Sequence, residues 1–177
     1  MQKPFPRSYW VREFDFLAGY TPADGNHQIM EEKLRSLVKA GICTIINLME
    51  PDEVDYTGGL FEQYEQPLRE IAKAQNREIA YHNIPIVDRN IPTKETMRRI
   101  LHAINASLRQ GKPVYVHCWG GKGRTGTVVG CWLVDSGIAD GKTALKMIQD
   151  LRKDDPKRDD PSPETGDQES FVLNWIG

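Results

Sequence analysis

Strands and helices alternate along these 177 residues, and the alternation predicts an α/β fold with a central, mostly parallel sheet flanked by helices. Two strand-like runs anchor that prediction. CTIINL (43–48) and PVYVHC (113–118) are short, apolar and rich in β-branched residues, as buried strands are. Segments with apolar residues at helical spacing separate them. There is no internal repeat and no linker long enough to split the chain, so residues 1–177 read as one domain, large enough for a hydrophobic core.

The elements follow in order. YWVREFDFLAGY (9–20) is aromatic and β-branched and reads as a strand or hairpin. In QIMEEKLRSLVKAG (28–41), Met30, Leu34, Leu37 and Val38 share a helical face, and Gly41 is a suitable stop. CTIINL follows as a strand. Leu68, Ile71 and Ala72 predict a helix near 64–75, and REIAYHNIP (77–85) a strand ended by Pro85. Thr93 caps a long helix whose face is Met97, Ile100, Leu101, Ile104 and Leu108, with Gly111 after it. PVYVHC is the next strand. Helices follow over 124–136, with Gly137 beyond, and over 142–153 on Leu145, Ile148 and Leu151. DDPKRDDPSPETGD (154–167) is a polar loop, and the mixed-charge run RKDDPKRDD (152–160) reads as solvated. Thr165 and Gln168 fit a capping box for a last helix carrying Phe171 and Trp175. Trp10, Trp132 and Trp175 are assigned to the core or its margin. In such sheets ligands bind beyond the carboxyl ends of the strands. The loops after CTIINL, AYHNIP and PVYVHC are expected to share that rim.

Composition narrows the classes. The chain is 39% hydrophobic and 27% charged, so neither disordered nor fibrous. A net charge of −2 is a poor footprint for nucleic-acid binding but permits a local cationic pocket. MQKPFPRSYWVREF is charged and broken by proline, and no apolar run approaches a membrane span. The expectation is a cytoplasmic protein with no nucleic-acid partner and no membrane insertion. The three cysteines, Cys43, Cys118 and Cys131, are an odd count that argues against a disulfide framework. Cys131 lies in an apolar helix and is assigned to the core.

The most informative stretch is HCWGGKGRTG (117–126), glycine-rich and set between a strand and a helix. Gly121-Lys-Gly-Arg-Thr-Gly126 is a literal GxGxxG. A dinucleotide fold wants a following strand ending in an acidic residue, whereas the next segment is helical and polar. Gly141-Lys142-Thr143 suggests a Walker loop, but the glycine required five positions earlier is Ser136. A third reading uses Cys118 and Arg124. HCWGGKGRTG fits H-C-x5-R-[ST]-G, and here the chain resembles the protein tyrosine phosphatase superfamily, especially its small dual-specificity-like members. AYHNIPIVDRNIP resembles the family's general-acid loop, and SPETGDQESFVLNW a late segment carrying a glutamine. With GICTIINL and the long helix before PVYVHC, the resemblance spans about residues 9–175.

The chemistry fits these residue types. Backbone N–H groups leading into a helix N-terminus bind a phosphate dianion without a metal. Trp119, Gly120, Gly121, Lys122, Gly123 and Arg124 would form that cradle, with Arg124 gripping two oxygens by its planar fork. The same donors favour the thiolate form of Cys118, the nucleophile. Thr125 would hydrogen-bond the sulfur and help it leave. His117 would order the loop rather than act as a base. Asp88 would protonate the leaving oxygen and later act as base for water; Asp52 and Asp55 are runners-up at the same rim. Arg89 reads as a surface charge on that loop. Gln168 matches the family glutamine that positions water and equally fits the helix cap. Some family members protect the thiol with a second cysteine, but Cys43 opens its strand and lies more than ~15 Å from the rim. Neither a metal nor a cofactor is expected, because no ligand cluster has metal spacing and Arg124 does the work of one.

The expected function is hydrolysis of phosphate monoesters through a phosphocysteine intermediate, on a phosphorylated protein (phosphotyrosine or phosphoserine/threonine) or a small phosphorylated substrate. The GKGRTG ending also resembles tensin-type lipid phosphatases, whose loop lysine helps bind an inositol ring. Trp119 departs from that pattern, so an inositol phosphate or phosphoinositide headgroup ranks second. A phosphate-binding module without turnover is the alternative of another class.

Overall fold

The computed structural model describes residues 3–177 and builds them around one sheet. In chain order the elements are β1 (Ser8–Arg12), β2 (Phe16–Tyr20), α1 (His27–Lys39), β3 (Thr44–Asn47), α2 (Glu65–Ala74), β4 (Ala80–Asn83), α3 (Lys94–Arg109), β5 (Val114–Cys118), α4 (Gly123–Asp135), α5 (Gly141–Leu151) and α6 (Gly166–Leu173). The strands lie in the order β1-β2-β5-β3-β4. Only the β1–β2 edge hairpin is antiparallel; β2, β3 and β4 join through β5 and β3 in parallel pairings. The fold is the mixed, mostly parallel α/β arrangement expected.

Every residue of β5 is buried, because it lies mid-sheet with helices over both faces. Alternation then sorts its side chains. Val114, Val116 and Cys118 join Phe16, Ile46 and Ile100 on the face covered by α3 and α4. Tyr115 joins Leu17, Ile45, Leu34 and Leu68 on the face covered by α1 and α2. α4 is buried from Gly123 to Leu133, which explains its apolar composition all round. Trp132 and Trp175 are buried, and Trp10 is partly so.

Helix ends follow local chemistry. Asn26, Thr93 and Asp140 each accept from first-turn amides of α1, α3 and α5. α1 stops before Gly41, whose φ of +87° is left-handed. The strand expected over 77–85 is shorter, because the Arg77 amide donates to the Ala72 carbonyl and belongs to the turn closing α2. The run 152–160 is not simply solvated. Arg152 is buried and donates to the Asp160 and Lys157 carbonyls at 3.0 and 2.9 Å, while buried Asp155 accepts from the Lys157 amide at 2.8 Å. A buried guanidinium needs acceptors, and this loop curls to supply them.

Register places the rim. Tyr20 pairs with Cys118, and Asn47 pairs with His117 and Asn83. The carboxyl ends of β2, β3, β4 and β5 are therefore level. Cys43 lies at the opposite end, where its amide donates to the Pro113 carbonyl at 2.8 Å. Five residues of strand put it ~16 Å from Cys118.

Two glycines that each open a helix give a matched test of packing. A Cβ on Gly141 would lie 2.7 Å from the Cα of Leu173 and 2.9 Å from the Val172 carbonyl, whereas one on Gly166 meets nothing within 4 Å. Gly141→Ala is expected to lose about 1–3 kcal/mol in urea denaturation. Gly166→Ala is expected to be neutral or to gain up to about 1 kcal/mol.

Candidate active site

Cys118 ends β5 and the chain turns at once into α4, so its sulfur sits beneath a helix N-terminus. The amides of Gly123, Arg124 and Thr125 open that helix and have no intrahelical acceptor. The Thr125 hydroxyl donates to Cys118 Sγ at 3.1 Å. It is also 3.3 Å from the Gly19 carbonyl. The turn depends on close approach to β2. Gly121 has φ +72°, and a Cβ there would lie 2.5 Å from Gly19 and Tyr20 backbone atoms. Arg7 Nη2 donates to the Gly120 carbonyl at 2.6 Å, which occupies that oxygen.

His117 is fully buried. Its Nδ1 lies 3.2 Å from the Cys118 carbonyl and its Nε2 faces the Tyr64 hydroxyl. Burial, aided by nearby Arg124 and only partly offset by the Cys118 carbonyl, lowers its pKa to about 3. The ring is neutral at pH 7: Nδ1–H donates to the carbonyl and Nε2 accepts from Tyr64.

Arg124 is the centre of the site. Its side chain is 1% exposed. Nη1 and Nη2 donate to the two carboxylate oxygens of Glu53 at 2.6 and 2.7 Å. Nη1 also donates to the Ile86 carbonyl at 3.1 Å, and Nη2 lies 2.8 Å from Asp88 Oδ1. Burial opposes the charge, but the Glu53 carboxylate, followed by Cys118 and Asp88, keeps its pKa above the ordinary arginine value. The structure thus brings Asp88 to the rim, where its side chain is 44% exposed.

The other acids of the loop after β3 behave differently. Asp52 is exposed, and Asp55 folds back to accept from the Thr57 and Gly59 amides at 2.7 and 3.0 Å. Glu53, which the sequence reading passed over for its neighbours, reaches Arg124. Four acids fall within six residues, Glu50 to Asp55, and spacing alone does not say which one turns inward. Tyr64, the partner of His117, was also missed.

Lys122 is held by Asp160 and Glu164 at 3.0 and 3.1 Å. Burial opposes its charge, yet those carboxylates raise its pKa. Gln168 is fully buried. Its Oε1 accepts from the Glu164 and Thr165 amides, completing the capping box, and its Nε2 donates to the Asn90 carbonyl at 3.0 Å. The helix-cap role is thus occupied. A cavity of about 430 Å³ opens over the loop, walled by Trp119, Tyr56, Phe61 and Tyr20 and edged by Asp88, Arg89 and Lys122. The Trp119 ring lies 4.4 Å from Tyr56 and 5.1 Å from Phe61, centroid to centroid. Among the described residues, no group of three or more His, Cys, Asp or Glu is arranged to hold a metal ion. No helix among them is long and apolar enough to cross a membrane.

Comparison with known proteins adds to this geometry. The family model described as "PTP-SAK: Swiss Army Knife protein, DSP-PTPase phosphatase domain" matches residues 7–172. An uncharacterized protein of Methanocaldococcus jannaschii is 34% identical over 93 residues, 52% of this chain and 53% of that protein. The Arabidopsis thaliana phosphatidylglycerophosphate phosphatase PTPMT1 is 29% identical over 150 residues, 81% of this chain and 37% of that protein. The chain thus spans about half the length, or less, of these relatives. The crystal structure of Tk-PTP in the active form superposes with a TM-score of 0.66 at 24% identity, covering 97% of this chain and 99% of that one.

The neutral state of His117 has a consequence for stability. Its folded pKa, about 3, lies below the ordinary 6.5, so the unfolded chain binds the proton first. Its contribution is fully present above pH 6.5 and is lost as pH falls toward 3. Between pH 6.5 and 5 the wild type is expected to lose about 2 kcal/mol more than His117→Gln, read from urea midpoints at the two pH values.

Proposed function

The chain belongs to the PTP-SAK family of DSP-PTPase phosphatase domains, and from that premise we propose that it hydrolyses phosphate monoesters through a phosphocysteine intermediate. One observation carries the proposal: a cysteine at a strand end, hydrogen-bonded by Thr125 at 3.1 Å, beneath a helix N-terminus beside a guanidinium already oriented by Glu53.

In the first step the Cys118 thiolate attacks phosphorus. The P–O ester bond breaks, its electron pair stays with the leaving oxygen, and that oxygen takes the proton carried by Asp88. In the second, water attacks phosphorus and gives a proton to the Asp88 carboxylate. The P–S bond breaks with its pair on sulfur, which the Thr125 hydroxyl stabilises. The amides of 119–124 and Arg124 hold the phosphoryl oxygens throughout. Proton counting supports the place of Asp88. The four Nη hydrogens of Arg124 are met by two Glu53 oxygens, the Ile86 carbonyl and Asp88. A phosphate that binds through Nε–H and one Nη2–H would leave Glu53 in place and displace Asp88, freeing its carboxyl beside the leaving group.

The substrate class we favour is a phosphorylated protein, phosphotyrosine ahead of phosphoserine or phosphothreonine. The support is the wall of Trp119, Tyr56 and Phe61, which suits an aromatic ester. The inositol reading draws on the GKGRTG ending, and the lipid-headgroup reading on the similarity to the Arabidopsis phosphatidylglycerophosphate phosphatase. Against both, the pocket lining carries five carboxylates (Asp24, Asp55, Glu62, Asp88 and Glu164) to four cations, and Lys122 is engaged by acids. A non-catalytic module would have no need for Cys118, Arg124 and an acid together.

The test is phosphate release from 4-nitrophenyl phosphate in EDTA. Wild type is expected to turn over and to be inhibited by vanadate. Cys118→Ser is expected to be inactive yet still bind the ester, and Arg124→Ala to lose both. Asp88→Asn is expected to slow esters of weakly acidic alcohols by about 10²-fold or more and activated esters much less. Equal losses on both ester types remove the acid role.

A further inference from the structure

Gln168 stands where three parts of the site meet. Its carboxamide oxygen accepts from the Glu164 and Thr165 amides at 3.1 and 3.3 Å and so closes the N-terminus of α6. Its carboxamide nitrogen donates 3.0 Å to the carbonyl of Asn90, two residues beyond Asp88. The same amide rests on the phosphate loop: a Cβ on Gly123 would lie 3.1 Å from Gln168 Oε1 and 3.3 Å from Nε2. The group is fully buried, so both ends of a rigid, planar amide are fixed. Arg89, between Asp88 and Asn90, has left-handed φ of +58°, so the segment is sharply turned where it is tethered.

We propose that Gln168 is a positioning residue for the proton donor, holding the Asp88 loop against the phosphate loop through its bond to the Asn90 carbonyl, and that it does not place the hydrolytic water. The amide has two acceptor lone pairs and two N–H donors. The oxygen's two lone pairs are used by α6 and one N–H by Asn90. Accepting a hydrogen from a water in line with phosphorus would require breaking the cap, and a single N–H is left to face such a water. The proposal rests on the phosphatase reading above, with Asp88 as acid.

Two variants separate tether from cap. Gln168→Glu keeps an acceptor for the capping box, which glutamate fills as well as glutamine, but replaces the donor facing Asn90 with an oxygen. Thr165→Ala breaks the cap from its other side and leaves the tether. Thermal melts establish that both variants are folded. The readout is kcat and kcat/KM on phenyl phosphate, which has a poor leaving group, and on an activated aryl phosphate. kcat/KM reports the step that forms the phosphoenzyme, whereas water attack enters only through kcat.

Gln168→Glu is expected to lower kcat/KM on phenyl phosphate about 10–100-fold, part of what a general acid supplies, and on the activated ester less than about threefold. In an Asp88→Asn background the same change is expected to cost less than about twofold more, because both act through one group. Thr165→Ala is expected to leave the ratio between the two esters unchanged. A fall in kcat with kcat/KM intact on both esters, or full additivity with Asp88→Asn, overturns the proposal in favour of water placement. An equal change of ratio in Thr165→Ala reduces Gln168 to a helix cap. Failure of wild type to turn over either ester sinks the phosphatase reading itself and the proposal with it.

Discussion

One buried guanidinium organises the catalytic rim. Arg124 comes from the start of α4, after β5. Its partners come from the loop after β3, in Glu53, and from the loop after β4, in Ile86 and Asp88. A charge that is 1% exposed cannot be left without acceptors. Three loops that are free by sequence are therefore drawn to one point by the need to satisfy the four Nη hydrogens of Arg124. Removing Glu53 alone would leave a buried cation short of its counterion, a loss of about 3–5 kcal/mol in comparable pairs. The pair is thus a constraint on loop geometry first and a source of stability second.

The glycine loop is bound to the sheet by a different force, contact distance. Gly121 packs against Gly19 and Tyr20 so closely that any Cβ would collide with main chain. Arg7 engages the Gly120 carbonyl at 2.6 Å, and Ser162 Oγ donates to the Lys122 carbonyl at 2.8 Å. Carbonyls already engaged by side chains leave the loop's N–H groups as its free polar groups, which is the polarity an anion needs. On the other side, buried Arg152 folds the 152–160 run so that Asp160 meets Lys122.

Most of the fold was legible because its signals are local. The period of the apolar residues marks α1 and α3, and Asn26, Thr93 and Asp140 cap their helices by chemistry that a four-residue window contains. The adjacency of Cys118, Arg124 and Thr125 was equally legible, since one loop of eight residues carries all three. What could not be read depends on contacts across long separations. Glu53 lies 71 residues from Arg124 and Tyr64 lies 53 from His117. Nothing in MEPDEVDYTG distinguishes an acid that turns inward from one that folds back on its own loop. The burial of Arg152 and Asp155 inside a run of alternating charge was invisible for the same reason. Gln168 showed the limit in another way: its capping signature is local, but its bond to Asn90 spans 78 residues.

Two carboxylates share Arg124, and their exposure separates their roles. Glu53 is 8% exposed and bidentate; Asp88 is 44% exposed and touches a single nitrogen. The buried, two-point pair is costly to open, because both charges would be stranded in low dielectric. The exposed, one-point contact is cheap, because water replaces it and screens it. In the proposed reaction an incoming dianion would compete for the guanidinium and displace the partner that is easier to lose. The architecture therefore makes Glu53 the fixed counterion and Asp88 the exchangeable one. In the proposed reaction, Asp88 held beside Arg124 until phosphate arrives needs no large motion to reach the leaving oxygen. On the proposed role of Gln168, its bond to Asn90 would limit how far the freed loop travels.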